Sequence, residues 1–73
     1  MNTRELFGKE VLDSAAIRIG KVADIDFDIQ KGIINHLVVR AGLIKKYVII
    51  LDEIDKLGDR IVLKIGQAEL QKK

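Results

Sequence analysis

The stretch that most constrains this chain is residues 17–32, I-R-I-G-K-V-A-D-I-D-F-D-I-Q-K-G, where polar and apolar residues alternate between a glycine and an Asp-to-Gly turn. Alternation with a period of two marks a β-strand with one wet face and one buried face. Ile17 and Ile19 share one face, and Ala23, Ile25, Phe27 and Ile29 form a series of matching parity. Lys21 interrupts that series, and Val22 points the other way. A bulge or bend at Gly20 reconciles the two halves, because glycine inside a strand often marks such a site. Long, bent strands are what small barrels use to turn corners. Residues 28–32 then close a hairpin, with Gly32 available for positive φ.

The rest of the chain reads as short strands and tight turns. Residues 3–7 form a capped turn before Gly8, with Leu6 and Phe7 as anchors. A first strand follows over 9–13 with Val11 inward, and the polar side chains of 13–15 suit a turn that bonds its own backbone. Residues 33–41 make a third strand, with Leu37, Val39 and Ala41 on one face and Ile34, His36, Val38 and Arg40 on the other. Gly42-Leu43-Ile44 turns into a fourth strand over 45–51, and 52–54 is a brief turn tucking Ile54 inward. A last hairpin turns at Gly58-Asp59, and Ile61, Leu63 and Ile65 alternate with Arg60, Val62 and Lys64. Residues 66–73 read as a tail, a frayed helical turn or disorder, outside a core of about 4–65. This is an all-β pattern of about six short strands in one domain, 1–73, and closure into a small barrel suits a chain too short to leave sheet edges bare.

Composition limits the function classes. The chain has 73 residues and no cysteine, which excludes disulfides and thiolate metal sites and favours a reducing, cytoplasmic setting. Residues 1–7 lack the apolar core of a signal peptide, and the longest apolar run, 48–51, is far short of the roughly 20 residues of a spanning helix. Thirteen basic and 11 acidic residues nearly balance, so the overall charge speaks for solubility rather than for DNA binding.

Four spaced marks then line up: Leu6-x-Gly8-Lys9-x-Val11; Ile19-Gly20-Lys21-Val22-x-Asp24-Ile25-x-Phe27-Asp28; Gly32-x-Ile34-x-x-Leu37-Val38-Val39; and Ile54-x-x-Leu57-Gly58-Asp59-x-Ile61-Val62-Leu63. Their order resembles the PRC-barrel domain, known from the cytoplasmic part of the photosynthetic reaction centre H subunit and from a ribosome maturation factor. The resemblance covers about residues 4–65, and Gly-Lys-Val-x-Asp followed by Phe-Asp is its most specific part. One departure is Leu51, where the family often carries proline. The resemblance implies a PRC-type β-barrel that is no enzyme and needs no cofactor, serving as an adaptor. Stand-alone members are linked to RNA metabolism and to cell-division assemblies.

Residue chemistry agrees with a non-catalytic reading. Asp24, Asp26 and Asp28 resemble the start of a calcium loop, but its sixth and twelfth positions hold Ile29 and Asn35 instead of glycine and glutamate. Three aspartates at every second residue, about 7 Å apart, are better read as the solvated side of a strand and a candidate acidic face for a partner. His36 is the single histidine and Ser14 the single serine, and no spacing gives either a catalytic or metal-binding neighbour. The best basic patch is Arg40, Lys45, Lys46 and Tyr47, a candidate RNA or partner contact if the tyrosine offers a stacking surface.

The anomaly is surplus grease on outward positions. If Leu37, Val39 and Ile49 point in, then Ile34, Val38, Val48, Ile50 and Val62 point out. A small monomer seldom exposes such a patch: either the strands curl and some of these residues cap the barrel ends or, the favoured reading, these five are the candidate self-association residues of a homodimer. The expected function is a protein–protein adaptor that self-associates and docks an unidentified protein partner in a cell-division or RNA-processing assembly. The alternative is an RNA- or ribosome-associated accessory. Membrane association is not expected, since no amphipathic anchor stands out.

Overall fold

A computed structural model describes residues 1–71. Six strands form one sheet: β1 (Glu10–Leu12), β2 (Arg18–Asp28), β3 (Ile33–Ala41), β4 (Lys45–Ile49), β5 (Ile54–Leu57) and β6 (Ile61–Leu63). The strand order is β4-β3-β2-β1-β6-β5, antiparallel throughout except for the β1–β6 pair. The sheet curls into a half-barrel with β4 and β5 at its two edges. Short helices α1 (Thr3–Leu6) and α2 (Gln67–Gln71) and a 3₁₀ turn, Leu51–Glu53, complete the fold.

Five of the six strands bury residues in one core, and β5 adds the partly buried Ile54. Val11, Ile19, Val22, Ile25, Leu37, Val39, Tyr47, Ile49, Ile61 and Leu63 are buried, with Leu6 of α1 and Leu70 of α2 packed among them. Burying side chains of this size contributes roughly 1.5–3 kcal/mol each before chain entropy is counted. Asn2 starts α1 by accepting a hydrogen bond from the Glu5 N–H at 2.9 Å, which lets Leu6 reach the core while Phe7 stays exposed. The expected core of 4–65 is therefore too short: Leu70 belongs to it, because α2 follows Gly66 and folds back onto the sheet. Residues 72 and 73 of the expected tail lie outside the described residues.

Two bulges revise the inward series of β2 and β3. Val22 pairs with Val39 and Asp24 with Val38, which leaves Ala23 as the extra residue. The inward set is consequently Ile19, Val22 and Ile25, with Ala23 exposed. Asp26 pairs with His36 but Phe27 with Ile34, so Asn35 is the extra residue on β3. Past that bulge Ile34 turns back to the core side, where it packs partly buried. Phe27 and Ile29, expected inward, are exposed near the hairpin end.

The irregularity expected at Gly20 is present: Val11 pairs with Gly20 and Leu12 with Arg18, making Ile19 the extra residue. A β-carbon on Gly20 would overlap the Arg40 carbonyl, so only glycine lets β2 approach β3 this closely.

Candidate protein-interaction surface

The outer side of β4, β3 and β2 is built by pairing register. Directly opposed residues in an antiparallel ladder share a face. Leu37–Ile49 and Val39–Tyr47 point inward, so their neighbours point out. The outward positions fall into three rows across the strands. Lys46, Arg40 and Lys21 form the first; Val48, Val38 and Asp24 the second; His36 and Asp26 the third. Ile50, one residue past the end of β4, continues the third row and is about half exposed. The face thus has a basic margin, an apolar middle and an acidic corner.

The acidic corner is organised by local contacts. Asp24 Oδ1 accepts from the Ile25 N–H at 2.8 Å, and Asp28 Oδ1 accepts from the Lys31 N–H at 3.0 Å across the turn. Asp26 Oδ2 accepts from Asn35 Nδ2 at 2.8 Å and lies 3.9 Å from His36 Nδ1. The carboxylates serve turns and cross-strand bonds rather than converging. Among the described residues, no group of three or more His, Asp or Glu is placed to hold a metal ion.

The five candidate self-association residues do not form one patch. Val38, Val48 and Ile50 share the face just described. Val62 is half-buried on the other wing of the sheet, opposite Leu12 and Lys56. Ile34 faces inward for the reason given above. The basic candidates divide as well: Arg40, Lys45 and Lys46 are exposed, whereas Tyr47 is only 8% exposed and belongs to the core. Its inward parity, set by pairing with Val39, removes it as a stacking surface.

Two further features stand out, the first expected from sequence only as a turn at 13–15 that bonds its own backbone. Asp13 is 2% exposed and organises the β1–β2 turn, its Oδ1 accepting from Ala15 and Ile17 N–H groups at 2.9 and 2.8 Å. Its Oδ2 accepts from the Gln67 N–H at 3.1 Å, tying α2 to the sheet. The Ile17 bond chiefly holds its pKa below the ordinary carboxylate value; burial opposes this, and the Ala15 and Gln67 bonds reinforce it. The second feature is an apolar groove of about 260 Å³ between α1, β3 and the 51–57 segment. Its only sequence signal was the apolar content of residues 51, 54 and 57.

The sequence model of the PRC-barrel domain matches residues 1–70. The chain belongs to the PRC-barrel family. No curated protein matches it significantly. A PRC-barrel domain of this kind suggests a small protein-interaction module. Among the described residues no helix is long and apolar enough to cross a membrane.

Proposed function

We propose that this PRC-barrel is a non-enzymatic cytoplasmic adaptor that pairs with itself through the outer face of β2, β3 and β4 and docks a larger assembly of the cell-division or RNA-processing type. One observation carries the self-pairing: the face is complementary to itself. A two-fold axis in the contact plane, running diagonally from Ile50 through Val38 towards Lys21, sets Asp24 of one copy against Arg40 of the other. The same operation sets Asp26 against Lys46, with Val38 on Val38, Ile50 on Ile50 and, at the far end of the axis, Lys21 beside its own copy. The patch is roughly 15 by 15 Å, well below the about 800 Å² per partner of a standard interface, so the dimer is weak and salt-sensitive.

Sedimentation equilibrium from micromolar to millimolar protein tests this reading. The expected result is reversible two-fold pairing through this face, which Val38→Asp removes without touching contacts made elsewhere on the molecule. Asp24→Lys and Arg40→Glu each weaken it alone and restore a heterodimer when mixed, because the mixture returns one charge of each sign to every contact. A strict monomer over the whole range, unchanged by Val38→Asp, would refute it.

The second reading, an RNA-associated accessory, is supported by the Lys21–Arg40–Lys46 row and exposed Lys45. With Tyr47 in the core it rests on charge alone, and predicts RNA binding that falls steeply with salt and with charge reversal at Lys45 and Lys46. Absence of binding at low salt disposes of it.

A further inference from the structure

The turn between β3 and β4 is unusual for a loop tip. Leu43 is 98% exposed and Ile44 94%, two aliphatic side chains projecting into solvent. Around them stand Arg40, Lys45 and Lys46, with no acidic residue between positions 37 and 51. Turn tips are ordinarily polar, so an apolar pair held in water asks for a cover.

The same molecule carries a matching concavity. The groove is walled by Met1, Leu6, Ile34, Leu51, Ile54 and Leu57 and holds about 260 Å³. An apolar cavity of about 150 Å³ takes one benzene, so this one has room for two four-carbon side chains. The 51–57 segment, which lines it through Leu51, Ile54 and Leu57, also carries Asp52, Glu53 and Asp55 against Lys56, while the Met1 amino group and Arg4 lie on the α1 side. The net charge of that segment is opposite in sign to that of the tip.

The tip cannot fill the groove of its own chain. The groove lies beside Ile34 and Leu37, near the start of β3, and the tip follows its end at Ala41. At about 3.3 Å per residue, six to nine residues put them roughly 20–30 Å apart, close to the 33 Å long axis of the molecule. We infer that the Leu43–Ile44 tip of one copy docks in the apolar groove of the next, a head-to-tail contact distinct from the two-fold face. Such a contact uses two different surfaces and does not close on itself in a pair. It propagates into a chain or a ring.

The test is made in the Val38→Asp background, so that it does not depend on the two-fold reading. By sedimentation velocity, the weight-average mass should keep rising with concentration beyond that of a dimer. Leu43→Ser/Ile44→Ser blunts the tip, and Leu57→Lys blocks the groove at an exposed position. Leu51→Lys is the second groove variant should Leu57→Lys unfold, as judged by circular dichroism. Each variant alone should need at least about tenfold more protein to associate. Mixed, the tip-blunted and groove-blocked proteins should form a one-to-one pair and nothing larger, since just one working contact exists between them. The inference is overturned if the Val38→Asp protein stays monomeric at about 1 mM, if either variant associates as before, or if the mixture gives no pair. It is also overturned if blunting the tip leaves association intact but abolishes sedimentation with vesicles of anionic phospholipid, which would make a bilayer the cover.

Discussion

The two ends of β3 are built differently. At the Ile33 end the register slips at Asn35, Ile34 swings to the core side, and the wall opens into a groove. At the Ala41 end the pairing runs without interruption from Leu37–Ile49 to Ala41–Lys45 and continues into a projecting turn. β3 thus borders both halves of the proposed head-to-tail contact, with the outer face between them.

The sharpest way to break the comparison is through the residue that serves both ends. Leu37 is 1% exposed and also lines the groove, so Leu37→Ala is expected to cost about 2–5 kcal/mol of stability, read from urea denaturation. The neighbouring Val38→Ala, on the half-exposed face, should cost less than about 1 kcal/mol; equal losses would mean that the two faces are misassigned.

Next is Gly20→Ala, which sets a methyl group against the Arg40 carbonyl at the Ala41 end. Backbone cannot yield as a side-chain tip does, and about 2–3 kcal/mol should be lost. A neutral result would show that β2 and β3 are not in such close approach. At the opposite end Gly32 has φ of 68° and nothing near its missing β-carbon. Gly32→Ala should therefore cost only about 1 kcal/mol, from the left-handed conformation alone. The ratio of the two glycine effects separates crowding from backbone strain.

The smallest expected effect is a pH slope from Asp13, remote from the outer face of β3. Its native pKa lies below the unfolded value of about 3.9, so its stabilisation is present above that value and is lost as pH falls through the lowered native pKa. Between pH 5 and pH 2 the urea midpoint of the unaltered protein should fall more steeply than that of Asp13→Asn. Parallel slopes would show that the Ile17, Ala15 and Gln67 bonds do not favour the ionised carboxylate.

Much of the fold was legible because local signals agreed. β3 spans residues 33–41 as the alternation indicates, Val11 is inward, and the turns at 28–32 and 58–59 fall where glycine and aspartate mark them. What the alternation could not show was where it breaks. A bulge adds one residue to one strand, and only the partner strand reveals it. Ala23 and Ile34 were accordingly assigned the wrong face, while Gly20 announced its own irregularity through its missing side chain. Tyr47 looked accessible among lysines, yet its place opposite Val39 decides its direction. Of the proposed face, Val38, Val48, Ile50 and Arg40 were readable from parity. Their juxtaposition with Asp24 and Asp26 was not, because it depends on the slipped register.

The row of Lys46, Arg40 and Lys21 has a last consequence, for the unpaired molecule. Three like charges on adjacent strands about 4.8 Å apart sit well inside the Debye length of about 8 Å at physiological ionic strength, so they push against the sheet that holds them. Added salt relieves that push and raises the melting temperature of the lone fold. The same salt loosens the two-fold contact, where Arg40 and Lys46 meet aspartates. Ionic strength thus moves folding and pairing in opposite directions, which makes a salt titration of melting temperature, at protein concentrations below and above pairing, a reading of how many molecules share the load.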